Sequence, residues 1–307
     1  MDGEKLAHLP LRKRRELQRV AQTLFDEFED AQRTKLSERS RRGRILKLIL
    51  YGSYARGDWV EDRKSGYFSD YDLLVIVNYD HFAEDYEAWD KADDRFIQDM
   101  LVTRRLKTQP NVIVHAYDQI NSELSQGRPF FVDVARDGIV LYEAAGYPLA
   151  SPKLLGQGEI IAEAQRHFDH WFPDASELIA GSVFYQEREN FNLAAFHLHQ
   201  ATERLYHCVL LVFTLYSPAS HNLTFLRSQS EAIAPRLIEA WPRNSKFSRR
   251  CFSLLKRAYI EARYSRHYEI STEEMAWLTE RVTHLRDGVE AVCRERLGGN
   301  GGRPSVD

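Results

Sequence analysis

Two short segments carry the residue types that handle phosphorylated substrates: Gly52-Ser53-Tyr54-Ala55-Arg56-Gly57-Asp58 and Ser69-Asp70-Tyr71-Asp72. A glycine directly after a strand lets a ligand come close to the backbone, and the neighbouring amides with the Ser53 hydroxyl can hold a phosphate. Arg56 adds a cation within reach of the same anion. Side chains alternate along a strand, so at a strand start Asp70 and Asp72 share one face and Tyr71 takes the other. Two carboxylates so placed suit Mg²⁺ or Mn²⁺, with substrate phosphates completing the coordination. The combined chemistry is a grip on a metal–triphosphate and transfer of part of it. Either device alone is common on protein surfaces. Their order is what gives them content: apolar strand, Gly-Ser, loop, Asp-x-Asp, apolar strand.

These segments need strands to hold them. Ile45–Tyr51 is nearly all apolar and stops at Gly52, as a strand covered on both faces does. A second strand is expected from Asp70 through Val77. Residues 111–115 predict a third, and residues 138–142 follow a short helix around Asp133 and Arg136. Helices are expected over 11–30 and 84–106. The third strand, Asn-Val-Ile-Val-His, holds no carboxylate. His115 is the candidate metal ligand there, with Asp118 and Asp133 close in sequence. A histidine at that place serves equally as a core or hydrogen-bonding residue. Arg12, Lys13, Arg14 and Arg15, then Arg33, Lys35, Arg39, Arg41, Arg42 and Arg44, form two basic runs. They read first as a solvated face and second as a phosphate-attracting rim.

Past residue 145 the pattern changes. Gly146, Pro148, Pro152, Gly156 and Gly158 punctuate a linker, and no strand pattern follows. Helices are expected over 159–172 and 174–188, divided by Pro173, and over 191–216, 222–240, 245–262 and 272–296. The 191–216 helix keeps Ala194, Leu198, Ala201, Leu205, Val209 and Val212 at a helical period, which makes it the centre of a bundle. His199, Glu203 and His207 share a face of it. Without a fourth ligand they read as a polar seam rather than a metal site.

Gly52-Ser53 followed by Asp70-x-Asp72 resembles the signature of the DNA polymerase β-type nucleotidyltransferase superfamily, in its minimal branch. The resemblance implies that Ser53 contacts the triphosphate and that Asp70 and Asp72 are catalytic metal ligands. It also implies a third carboxylate on a later strand, which residues 111–115 lack. Residues 191–216 resemble the main helix of HEPN domains, and Ser220-His221-Asn222-Leu223 resembles the short His-x-Leu element after it. The pair implies an α/β nucleotidyltransferase domain, a mixed sheet flanked by helices, over residues 1–146. An all-α antiparallel helical bundle, the HEPN domain, follows over 159–297, with a flexible tail over 298–307. Such pairs occur in one chain or as prokaryotic toxin–antitoxin neighbours. HEPN ribonucleases place four to six residues between an arginine and a histidine. Arg263 and His267, followed by Tyr268, are separated by three. The bundle therefore reads as one that binds nucleotide or RNA, or pairs with a second copy.

Composition limits the alternatives. Lys+Arg is 42 and Asp+Glu 45, a net charge of −3, so no global basic excess marks a nucleic-acid or membrane binder. The three cysteines are too far apart for a zinc motif and suit a reducing compartment. No apolar run approaches a membrane span, and the first residues lack a signal-peptide core. The expectation is a cytoplasmic enzyme that moves a nucleoside monophosphate from a nucleoside triphosphate, ATP first, to a hydroxyl on protein, RNA or a small molecule. The alternatives are a nucleotide-sensing or RNA-binding module with little turnover, and a HEPN ribonuclease toxin. A homo-oligomer formed through the bundle is expected.

Overall fold

The protein is described by a computed structural model over residues 5–33, 42–62, 67–84 and 86–298. Lys35, Arg39 and Arg41 of the second basic run, and residues 299–307 of the expected tail, lie outside the described residues. The chain divides into two compact units, Met1–Leu154 and Leu155–Asp307.

The first unit is a mixed four-stranded sheet with helices. The strands β1 (Ile45–Tyr51), β4 (Tyr71–Val77), β5 (Pro110–Ala116) and β6 (Ile139–Glu143) lie in the order β5-β4-β1-β6. Between β1 and β4, Glu61–Asp62 (β2) and Tyr67–Phe68 (β3) pair as a short hairpin. β4 runs antiparallel to β1 and parallel to β5. Every residue of β1 and β4 is buried, the pattern of central strands covered on both faces. Even Lys47 is enclosed, with its ammonium paired to Glu143.

Helix α1 (Leu11–Arg33) turns Leu17, Val20, Leu24 and Phe28 into this core. Ser53–Arg56 forms a single turn, α2. A short turn, α3 (Asp80–Ala83), precedes the helix expected over 84–106, which is α4 (Tyr86–Leu101). α4 stops early, and Arg104 just beyond it takes a positive φ of 55° that a helix cannot contain. Two further helices, α5 (Tyr117–Gln126) and α6 (Pro129–Asp137), join β5 to β6. Residues after β6 stay with this unit: Tyr117 Oη donates to Pro148 O, and the amides of Ala150 and Lys153 donate to Asn121 Oδ1 (2.7 Å) and Leu124 O (2.9 Å).

The second unit is a helical bundle built around α8 (Phe191–Thr214), most of whose residues are buried. α7 (Gln157–Gln186), α9 (Leu223–Ile233) and α12 (Thr272–Gly298) pack on it. α7 runs unbroken through Pro173, where a division was expected. Proline removes one backbone donor but leaves φ helical. Phe168 and, beyond the proline, Ala175 and Ile179 bury the same face against the bundle core, so packing holds the helix together. The expected 222–240 helix ends at Ile233 and continues as a 3₁₀ turn, Pro235–Ala240, since Pro235 cannot extend the α-ladder. The 245–262 helix is α10 (Lys246–Ala258) followed by a separate turn, α11 (Glu261–Tyr264). Ser271 and Glu274 form a reciprocal cap at the start of α12 (2.9 and 3.2 Å). No helix among the described residues is long and apolar enough to cross a membrane.

Candidate active site

The site forms where β1 ends beside the start of β4. Tyr51 pairs with Asp72, so the turn after β1 lies against the second aspartate. Gly52 has φ +71°, and a Cβ there would stand 2.3 Å from Asp72 Oδ2. Only glycine satisfies both the left-handed backbone and the close carboxylate. Its carbonyl then accepts from the amides of Ala55 and Arg56 (both 3.1 Å), which winds Ser53 into α2. Arg56, about half exposed, pairs with Asp58 (3.2 Å) at the end of that turn.

Asp70 immediately precedes β4 and Asp72 is its second residue, 7% exposed. Between them Tyr71 points the other way. Its hydroxyl donates to Glu16 Oε2 (3.1 Å), and its ring packs on Tyr54, which stacks on Trp59. Lys13 closes this pillar by donating to Tyr54 Oη (2.7 Å) and Thr108 Oγ1 (2.6 Å) and pairing with Glu61. The Lys13 ammonium holds the Glu61 carboxyl below its usual range. Lys13 belongs to the basic run read as solvated, yet it is 2% exposed. The face of α1 that carries it looks inward beneath the site, so the solvated reading fails for this residue.

Across the parallel pair, Asp72 faces Asn111. The Asn111 amide donates to Asp70 Oδ2 at 3.1 Å and more loosely to Asp72 Oδ1 at 3.4 Å. Asn111, 4% exposed, therefore stands where the resemblance calls for a third carboxylate. Sequence reasoning passed over it because it looked for an acid. The parallel register is the signal that singles it out.

His115 is corrected as a ligand of this site. It pairs with Ile76, four residues further along β5, or about 13 Å at the rise of a strand. Its Nδ1–H donates to Gln119 (2.9 Å) and its ring meets Phe131 edge-on. Burial lowers its pKa, which favours the neutral ring. Among the described residues no group of three or more His, Cys, Asp or Glu is arranged to hold a metal ion. The donor set at β4 is instead two carboxylates and one amide, which are oxygen-ligand types that hard divalent cations take. The Gly52 cradle and the Asn111 amide hold the carboxylates together, and the set fits such an ion.

In the helical unit Arg263 and His267 do not lie on one helix, because α11 ends at Tyr264 and Ser265 is extended. Tyr268, which directly follows His267, is 4% exposed and donates to Leu254 O (3.1 Å) inside the core. Arg263 lies over the rings of Phe196, Tyr259 and Tyr264 at 4.7 to 4.9 Å. The same Tyr259 ring stacks on His199 and His221, and His221 donates to Glu203 (3.0 Å). Burial raises the Glu203 pKa, against the pull of His221, and pushes His199 down to about 3. His207, pushed down to about 4 by burial, bonds Ser217 (2.6 Å).

Comparisons with known proteins agree with this division of the chain. The nucleotidyltransferase domain model matches residues 30–135 and the HEPN domain model matches residues 168–292. The chain is also 33% identical over 118 residues to a protein of Methanocaldococcus jannaschii named as a protein adenylyltransferase. That match covers 38% of this chain and 92% of the relative. With the Gly-Ser turn set against paired aspartates in the first unit and a helical bundle in the second, the chain belongs to the nucleotidyltransferases and carries a HEPN domain.

Proposed function

We propose that the first unit transfers a nucleoside monophosphate from a nucleoside triphosphate to a hydroxyl group, with ATP as donor and a protein or RNA as acceptor. The observation that carries this reading is the seating of Asp72 against Gly52, which sets the phosphate-type turn beside paired carboxylates. In it Asp70 and Asp72 hold Mg²⁺ or Mn²⁺, while Ser53 and Arg56 receive phosphate oxygens. A divalent ion bound there would neutralise charge on the triphosphate and favour displacement of the leaving pyrophosphate. A protein acceptor has the further support of the relative's name. In this reading the HEPN unit binds nucleotide, RNA or a partner. Association of two chains through it is consistent with the exposed Val183, Phe184, Ile260 and Tyr264. The setting is a prokaryotic cytoplasm, where a toxin–antitoxin role would apply.

Asn111 favours one second reading, a nucleotide-binding sensor with little turnover. An amide cannot accept the acceptor's proton as a carboxylate base does. Incubation of the protein with each labelled triphosphate and Mg²⁺ or Mn²⁺, followed by mass spectrometry of the protein and of added acceptors, separates the two. Covalent gain of a nucleoside monophosphate supports the transferase. Tight binding without transfer supports the sensor.

A further inference from the structure

We propose that Asn111 is the third member of the metal site and works by exchange: its amide nitrogen holds Asp70 and Asp72 when no ion is bound, and its amide oxygen turns to the ion when one is. The inference rests on the reading of Asp70 and Asp72 as metal ligands. The Asn111 nitrogen is nearly equidistant from one oxygen of each carboxylate, at 3.1 and 3.4 Å. A small divalent cation held by these same two oxygens, at roughly 2.0–2.1 Å from each, would compete with the Asn111 N–H donors for them. The positive end of the amide dipole then faces a cation, which is repulsive. Rotation of the amide by half a turn about its last torsion removes the conflict and presents Oδ1, an accepted ligand for hard cations. The side chain is buried and its strand is locked in register with β4, so this rotation is the movement left to it.

A carboxylate at this place behaves differently. It could not donate to its neighbours, and three acids without an ion would repel one another. The amide thus keeps the empty site intact with a charge of −2 from its two acids, at the expense of metal affinity, which follows ligand charge.

The test uses the full chain. In ¹⁵N–¹H spectra the side-chain amide pair of Asn111, assigned by its loss in Asn111→Asp, is expected to shift as Mg²⁺ saturates the parent. By calorimetric titration Asn111→Asp is expected to bind Mn²⁺ at least about tenfold more tightly than the parent, and Asn111→Leu at least about fivefold more weakly. Melting in EDTA is expected to rank Asn111→Asp below the parent, with the order reversed in excess Mn²⁺. If Asn111→Asp does not fold, Asn111→Leu and the parent spectra still decide. An Asn111 resonance unmoved in a parent that binds Mg²⁺, or parent-like Mn²⁺ affinity in the variants, overturns the exchange while leaving the site reading in place. A parent that binds neither ion, indistinguishable from Asp70→Asn, overturns both.

Discussion

In the first unit, Asp70 and Asp72 sit at the start of a strand whose opposite face carries Tyr71, so the paired carboxylates and the phenol that packs beneath them alternate one by one. In the helical unit, His199, Glu203 and His207 lie along a helix enclosed on nearly all sides, and their polar atoms are satisfied, where they are, by neighbours inside the bundle. Titratable side chains therefore carry different consequences in the two units. At the strand start Asp70 is half-buried and Asp72 buried, with Asp72 against Gly52 and both carboxylates facing the Asn111 amide. In the bundle, burial drives both imidazoles toward the neutral form. The start of a strand separates polar from packing side chains by parity, whereas a buried helix must satisfy both on the same faces.

The largest effect should fall on the strand end. Asp70→Asn and Asp72→Asn are each expected to lower metal-dependent nucleotide binding at least about a hundredfold while thermal unfolding stays near that of the parent, because shape is kept and charge is lost. Parent-like affinity for Mg²⁺–ATP in both variants would show that these carboxylates do not form the site. The bundle should respond in stability instead. Leu198, Leu205 and Val212 are 0% exposed. Replacement of each by Ala is expected to cost roughly 2–4 kcal/mol in denaturant unfolding, Val212 least. Costs near zero would mean that α8 is not the centre of the core.

Acidification sharpens the contrast. His199 and His207 have folded pKa values of about 3 and about 4, below the unfolded value of about 6.5. The unfolded chain therefore takes up more protons, and stability falls as pH drops from 7 to 5, by about 4 kcal/mol for the pair. Glu203, whose pKa is raised, returns part of this at the acid end because the folded state keeps its proton first. His207→Gln is expected to remove about half the slope, and an unchanged slope would mean that another group sets it. Lys13→Met should cost about 2 kcal/mol, since it strands the Tyr54 and Thr108 hydroxyls and the Glu61 carboxylate. A neutral result would mean that the pillar tolerates an apolar stem. The smallest effect concerns RNA. Purified protein is expected to leave single-stranded RNA intact, with or without Arg263→Ala. Metal-independent cleavage abolished by His267→Ala would reverse this and favour a toxin.

Local pattern made much of this legible. Ile45–Tyr51 reads as a doubly covered strand from its apolar run, and Asp-x-Asp reads from strand parity. The bundle helix reads from the spacing of Leu198, Leu205 and Val212. What escaped depends on long-range pairing. Asn111 gains meaning only once β5 lies parallel to β4 with Asp72 opposite it, and the same register removes His115. Lys13 looks like any basic residue in a first helical turn until Tyr54, Thr108 and Glu61 surround it. Pro173 carries a local signal to stop, which tertiary packing overrides.

The alternation in β4 also bears on how this segment can change over time. Asp70, Tyr71 and Asp72 are committed to opposite sides of one ribbon, so a single inserted or deleted residue there would turn the phenol into the pocket and the acids into the pillar. Substitutions can be absorbed one at a time, but a frame slip fails on both sides at once. Length in this stretch should thus be inherited as strictly as residue identity.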